Sequence, residues 1–358
     1  MTSNALELFL LDSGNGNHAV ALGRCNGDLA IEEIPLDKEC GALVAYRDRL
    51  DGVILGKSER PSPKELREFG ERIFNWLFRG ELRTLYGHVP TGSVSMQILS
   101  TRPELKAIPW EYLQLPDRQP APHRERCVVR VLPTCGIAAP VPKSVSSKIR
   151  VLFVSADPID QSDVPWDEVK ASIERAFSSQ LPAAVEMTVV EGATREKLRK
   201  AIQKGTFDIF HFLGHGLIKN NEGHLVLVDI KTQQSDLISA ATLAALLSGK
   251  NVRLALLSAC LTGAGNAADD FTIVAASLLR AGIPAVVANQ VSIPTKSVAS
   301  FVGSVYQKLL EHGNIDEAVM EGRVQLATDL EGTTGARAVI EWGIPSLYRL
   351  SGAAQLFV

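Results

Sequence analysis

Apolar and polar residues alternate in short runs along the first part of the chain. Residues 6–10, 18–22 and 29–34 each show this period of two, and clusters of Asn, Asp, Gly and Ser separate them. Because neighbouring side chains of a strand point to opposite faces, a period of two predicts strands with one buried face. We therefore predict three strands joined by tight turns, and two further strands where the pattern returns at residues 94–98 and 128–132.

A helix is predicted to begin at Ser62, between these strands. A serine at the cap position and a proline in the first turn are typical of a helix start, and apolar residues recur at positions 66, 69, 73 and 77. This spacing of three to four residues places one apolar face along a helix. The N-terminal part of the chain is therefore expected to be a β-rich α+β region.

The pattern changes after residues 133–148, which are rich in proline and serine and typical of a linker. From residue 149 onwards, strand-like and helix-like segments alternate. The predicted strands are 149–154, 185–190, 207–213 and 253–257, and the predicted helices are 166–177, 194–202 and 239–247. This order favours a mostly parallel sheet with helices on both faces, so the predicted fold class is α/β. We divide the chain into an N-terminal region (1–135), a linker (136–148) and an α/β domain (149–358).

Composition places this chain among ordinary globular proteins, with 46% hydrophobic and 22% charged residues. A net charge of −3 gives no reason to expect nucleic acid or an anionic membrane as a partner. No apolar run is long enough for a transmembrane helix, and the first residues lack the basic start and apolar core of a secretory signal. The five cysteines share no CxxC spacing, which argues against a disulfide framework and a zinc knuckle. We expect reduced thiols in a cytoplasmic protein.

Two apolar segments end in side chains that can carry out chemistry. Residues 207–214 lead into His215 and Gly216, and residues 254–259 lead into Cys260. Since neighbouring parallel strands end at the same edge of a sheet, we expect His215 and Cys260 to lie together there. A histidine base beside a cysteine nucleophile supports covalent catalysis, and the backbone N–H groups of Gly216 and Cys260 could form an oxyanion hole. The simpler alternative is that Cys260 is an inert core residue.

Other candidates in the sequence are expected to have structural roles. His211 is interpreted as a buried strand histidine satisfied by a neighbour, and His224 as a solvated loop residue. Gly263-Ala264-Gly265 lacks the Gly-Lys-Ser/Thr ending of a phosphate-binding loop, and no His/Asp cluster has the spacing of a metal site. We therefore expect no nucleotide, no metal and no other cofactor.

The motifs around the two candidate residues resemble those of the CHAT family, caspase-like domains related to caspases and separases. The resemblance rests on His215-Gly216, on Ser258-Ala259-Cys260, on a helix, turn and strand at residues 275–287, and on Pro109-Trp110-Glu111 upstream. It implies a caspase-like fold and a cysteine endopeptidase with a His215–Cys260 dyad. It also implies that the N-terminal region belongs to the same protease module.

Substrate choice is assigned to residues beside the predicted dyad. Asp157 and Asp160 follow the first strand of the α/β domain and could pair with a P1 Arg or Lys. Several basic-specific relatives carry an acid two residues before the cysteine, where this chain has Ser258, so a small or apolar P1 residue stays open. Asp269, after the cysteine loop, could also line the site. Asp157 could instead be a solvated turn residue next to Pro158.

The resemblance also implies a biological setting. Members of the family commonly act in bacterial defence and regulated cell death, where they cut a partner protein such as a gasdermin or another effector. This chain shows no internal repeats, so an activation signal would come from another protein or from self-association. The alternative is a catalytically silent, CHAT-like interaction module that has kept the dyad by descent.

Overall fold

Thirteen strands of the computed structural model form one mixed, mostly parallel sheet within the described part of the chain. They are β1 (Ala5–Asp12), β2 (His18–Cys25), β3 (Asp28–Pro35), β4 (Val94–Ser100), β5 (Arg126–Val131), β6 (Ile149–Ser155), β7 (Val185–Val190), β8 (Ile209–Lys219), β9 (Glu222–Val228), β10 (Ser235–Ser239), β11 (Leu254–Leu261), β12 (Ala285–Asn289) and β13 (Pro345–Arg349). Their order across the sheet is β10-β9-β8-β11-β12-β13-β5-β4-β1-β2-β3, and β6 lies beside β7 and β8. The predicted α/β class is confirmed.

The structure describes most of the chain. The described residues are 5–116, 121–132, 139–144, 148–178, 185–220, 222–261, 270–291, 293, 295–334 and 339–358. For residues 260, 261, 270–272, 295 and 296 it describes the backbone alone. Among the helices in these ranges, none combines the length and the apolar composition needed to span a bilayer.

Helices cover both faces of the sheet. They are α1 (Lys38–Ile54), α2 (Pro63–Leu77), α3 (Gly80–Gly87), α4 (Pro103–Ala107), α5 (Trp166–Ser178), α6 (Arg195–Lys204), α7 (Ala240–Leu247), α8 (Asp270–Arg280), α9 (Thr295–His312) and α10 (Ile315–Leu330). Successive residues of β8 enter different cores: Ile209 packs in the core that includes α5 and α9, and Phe210 in the core that includes α7 and α8. Burial on both faces explains why β8 is almost continuously apolar, as expected for a central parallel strand.

β13 joins the two parts of the sheet. Leu347 of β13 is paired with Val287 of β12 on one side and with Val129 of β5 on the other. The sheet therefore continues from the predicted α/β domain into the predicted N-terminal region. The division at residues 136–148 itself stays a prediction, and residues 136–138 and 145–147 of that linker lie outside the described residues.

Most of the predicted elements are present, but the structure differs from the prediction in one strand end and in several added elements. β7 has the predicted bounds, and the predicted helix start at Ser62 is confirmed by a capping box in which Ser62 and Glu65 exchange hydrogen bonds. β8, however, does not end at residue 213 but continues through His215 to Lys219. The helices α1, α3 and α4 and the strand β10 were not predicted from the sequence.

Candidate active site

The strand β8 changes its neighbour halfway along its length. Residues 209–213 of β8 pair in parallel with residues 151–155 of β6, whereas residues 215–219 pair antiparallel with residues 222–226 of β9. Gly214 lies at the change. A Cβ atom at Gly214 would lie 2.9 Å from the carbonyl oxygen of Ala156, closer than real Cβ contacts allow. The sheet therefore forks at a glycine, and the next residue along β8 is His215.

The other side of β8 places Cys260 opposite His215. β11 pairs in parallel with β8, and in this register the Cα of Cys260 is the partner of the Cα of His215. The next pair is Leu261 with Gly216. The backbone positions of the predicted dyad are thus neighbours on adjacent strands, and β8 continues beyond His215 to Lys219. The thiol of Cys260 lies outside the described atoms.

A backbone carbonyl orients the imidazole of His215. The residue is 9% exposed, and its Nε2 lies 2.7 Å from the carbonyl oxygen of Ser162. Because a carbonyl oxygen only accepts, Nε2 must carry the proton in this hydrogen bond. A neutral imidazole then has its lone pair on Nδ1, so His215 can accept a proton at that atom.

The segment that supplies Ser162 also contains three aspartates. Asp157 is largely exposed on this segment. Its remaining burial and the neighbouring carboxylate of Asp163 raise the pKa of Asp157 above the usual value, and the interaction with His215 lowers this pKa in part. Asp157 therefore lies within electrostatic reach of His215. Asp160 has a different environment, since its Oδ1 accepts hydrogen bonds from the backbone N–H and the Oγ of Ser235, both at 2.9 Å.

Ser258 belongs to a buried, uncharged cluster. Its Oγ lies 3.1 Å from Nε2 of His211, and the hydroxyl of Tyr306 lies 3.3 Å from Nδ1 of the same imidazole. His211 is fully buried, and burial lowers its pKa to about 3, so it is neutral at physiological pH. The interpretation of His211 as a buried histidine with hydrogen-bonding neighbours is confirmed. The position two residues before Cys260 thus carries neither an acid nor a charge.

The remaining predicted site residues are placed as follows. Gly216 is buried between Leu225 of β9 and Leu261 of β11. The expectation that His224 is a solvated loop residue is wrong: it is a half-buried residue of β9 whose Nδ1 donates to the carbonyl of Glu222 over 2.8 Å. Asp269 lies outside the described residues. Within the described ranges, no three His, Cys, Asp or Glu side chains are grouped so that they could hold a metal ion.

Comparison with known proteins identifies a family and a fold. The CHAT domain model matches residues 67–352. A search of curated proteins finds no match. Among solved structures, the chain is similar to one in the separase–securin complex of Saccharomyces cerevisiae, with a TM-score of 0.51 and 11% sequence identity. That similarity covers 99% of this chain but 30% of the other, so this chain spans less than a third of that protein. At this identity the similarity shows a shared, caspase-like fold and no more.

Proposed function

Because this chain belongs to the CHAT domain family, we propose that it is a caspase-like cysteine endopeptidase with Cys260 as nucleophile and His215 as base. One observation supports this proposal above the others: the β8–β11 register pairs the Cα atoms of these two residues. Alternation along β11 puts position 260 on the same face as Ser258, and alternation along β8 puts His215 on the same face as His211. Since Ser258 and His211 are in contact, positions 260 and 215 belong to one face of the sheet.

The proposed reaction follows from the tautomer of His215. Nδ1 accepts the proton of the Cys260 thiol, and the thiolate attacks the scissile carbonyl carbon. The C–N bond breaks as Nδ1–H passes its proton to the leaving amine, which leaves a thioester. Water gives a proton to Nδ1 and attacks the thioester carbon, the C–S bond breaks and the acid is released, and Nδ1–H returns its proton to the Cys260 thiolate. Throughout the reaction, Nε2–H of His215 keeps its hydrogen bond to the Ser162 carbonyl oxygen. The backbone N–H groups of Gly216 and Cys260 form the proposed oxyanion hole.

The acidic segment beside His215 supports a basic P1 residue. Asp157 is the first candidate because its carboxylate is exposed and near His215. Asp160 and Asp269 were the further acidic candidates from the sequence. The uncharged contact between Ser258 and His211 offers no second charge for an Arg or Lys, so a small or apolar P1 residue is the competing assignment.

The proposed substrate is a specific partner protein. The family resemblance supports a role in bacterial defence or regulated cell death, with a gasdermin or another effector as the protein that is cut. Activation would then require a partner protein or self-association. Three buried free cysteines, Cys25, Cys40 and Cys127, support the expected reducing, cytoplasmic setting.

A panel of fluorogenic peptides with Arg, Lys, Leu, Ala and Asp at P1 tests the proposal. We expect turnover by the full chain and none by Cys260→Ala or His215→Ala, with melting temperatures within a few degrees of the parent. Equal signal from the parent and from Cys260→Ala would exclude the proposed nucleophile. If the parent cleaves none of the peptides, either alone or with a candidate activator protein added, the silent interaction module is favoured.

A further inference from the structure

The segment that orients His215 is tied to the hairpin formed by β9 and β10. Three consecutive residues make the contacts: the N–H of Ile159 donates to the carbonyl of Gln233 over 3.0 Å, Asp160 accepts both hydrogen bonds from Ser235, and Nε2 of Gln161 donates to Oγ of Ser235 over 3.1 Å. Ser162, whose carbonyl accepts from His215, is the next residue. Its position is therefore fixed from the hairpin side.

These contacts close a ring that begins and ends at His215. His215 is paired with Val226 of β9, and Val228 of β9 is paired with Ser235 of β10. Ser235 donates hydrogen bonds to Asp160, and two residues after Asp160 the Ser162 carbonyl accepts a hydrogen bond from Nε2 of His215. A closed ring resists displacement of any one member, because moving the carbonyl would break several hydrogen bonds at once.

We propose that Asp160 and Ser235 are positioning residues for His215: they hold the Ser162 carbonyl so that the imidazole keeps its proton on Nε2 and its lone pair on Nδ1. This proposal rests on the proposed function of His215 as the base. It gives Asp160 a role inside the protein, whereas the sequence suggested contact with substrate. In this role both residues act through the segment that carries Ser162.

The reason for such a device is the ambiguity of histidine. A neutral imidazole can carry its proton on either nitrogen, and the hydrogen bond that one nitrogen makes decides which. If the Ser162 carbonyl moves away, a fraction of molecules will carry the proton on Nδ1. In those molecules the atom that should accept the thiol proton is already a donor. Loss of the hydrogen bonds that hold the Ser162 carbonyl should therefore lower kcat and leave KM nearly unchanged.

The tautomer can be measured without any catalytic activity. We would record long-range 15N–1H spectra of Cys260→Ala at pH 8, with Cys260→Ala/His215→Gln to assign the His215 signals. The expected result is a protonated Nε2 in the parent background. Asp160→Ala and Ser235→Ala should each convert this signal into a mixture of tautomers. Asp160→Asn, which keeps an accepting oxygen, should restore the parent spectrum.

Kinetics of the chain with Cys260 intact give the second measurement. We expect Asp160→Ala and Ser235→Ala to lower kcat about tenfold or more, with KM changed less than twofold. Asp236→Asn is the matched control, since it breaks the neighbouring ion pair with Arg195 (2.7 Å) without touching the Ser162 segment; it should change neither parameter. An unchanged tautomer in both alanine variants would overturn the proposal, as would an effect confined to KM, which indicates substrate contact. If the parent has no activity, the proposed function fails, and the spectra still decide the positioning role.

Discussion

Glu111 and Arg130 form a buried, two-point ion pair at the junction of the two parts of the sheet. Nε and Nη2 of Arg130 donate to the two carboxylate oxygens of Glu111 over 2.9 and 2.7 Å, and Nε2 of Gln290, just after β12, donates to the same carboxylate over 3.0 Å. Burial alone would raise the pKa of Glu111, but Arg130 holds it below the usual value. The glutamate of the Pro-Trp-Glu motif thus connects the N-terminal region to the end of β12.

Removing this carboxylate should cost much of the stability of the fold. Glu111→Ala leaves the guanidinium of Arg130 buried without its counter-ion, which typically costs about 3–5 kcal/mol. Urea unfolding at pH 7.5 measures the change. Glu104→Ala is the matched control, because the Glu104 side chain is 50% exposed in its ion pair with Arg102 and the pair should contribute about 1 kcal/mol or less. Equal losses in the two variants would contradict a special role for Glu111.

A chain that begins at Ser144 should be insoluble or inactive. Such a chain lacks β5 and therefore leaves β13 without its partner on one side. It also loses Tyr112, whose hydroxyl donates to the carbonyl of Ile340 over 2.6 Å and whose ring packs on Trp342 with centroids 5.0 Å apart. Size-exclusion chromatography and the peptide panel test this. A soluble, active product would show that the protease module begins after the linker.

Cys260 should be the thiol that reacts fastest with iodoacetamide. Burial raises the pKa of Cys25, that of Cys40 to about 11 and that of Cys127 to about 12, so their thiolate fractions at pH 7.5 are very small. In a Cys135→Ser background, mass spectrometry of the folded protein should show labelling at Cys260 at least about tenfold faster than at these three. If Cys260 is labelled as slowly as the buried thiols, or is labelled only after the protein unfolds, the silent module is favoured.

His211 should make the fold sensitive to mild acid. Its pKa is about 3 in the folded protein and 6.5 ordinarily, so the unfolded chain binds the extra proton between these values. Stability is therefore fully present above about pH 6.5 and falls as the pH drops towards 3, by about 2 kcal/mol at pH 5. His211→Gln should remove this part of the difference between urea unfolding at pH 7.5 and at pH 5. His88→Gln, at an exposed histidine, should keep it; a parent-like pH dependence in His211→Gln would refute the assignment.

Asp157 should set a preference for basic P1 residues, and the preference should fade in acid. Asp157→Ala is expected to lower kcat/KM for Arg substrates by about tenfold or more, which is about 1.4 kcal/mol or more. Because its pKa is raised, the carboxylate of Asp157 loses its charge at a higher pH than an ordinary aspartate. Asp163→Asn removes one cause of that rise, so the acid limb of the Arg profile should move to lower pH. Cleavage after Leu or Ala with Arg untouched would instead establish the small or apolar alternative.

The spacing of apolar and polar residues predicted the strands and helices whose formation depends on residues close together in the sequence. The described side chains of the central strands β8 and β11 are buried on both faces where the strands pair, and their sequences are almost continuously apolar there. α1 escaped prediction because its buried face includes a charged residue: Cys40, Leu43, Leu50 and Val53 are buried together with Arg47. Asp37, which caps this helix by accepting from the N–H groups of Glu39 and Cys40, was the signal that could have revealed it.

The candidate site could be predicted only as far as side chains and strand order determine it. The pairing of positions 215 and 260 follows from two neighbouring parallel strands, and the sequence indicated both, although β8 continues past His215 to Lys219. The fork at Gly214 depends on two strands that are distant in sequence, β6 and β9, and no local period encodes it. The Ser162 carbonyl was missed because a backbone group leaves no trace in residue type.

The place of β13 has a consequence for synthesis on the ribosome. β13 comes last among the described strands, yet it lies between β12 and β5 and supplies the ladder that joins them. Until residues 345–349 have emerged, the strands made first and those made in the middle each present an open edge and cannot become one sheet. N-terminal segments generally fold as they emerge, but here they must wait for a strand encoded near residue 350. We therefore expect the nascent chain to reach its working architecture only after β13 has emerged from the ribosome.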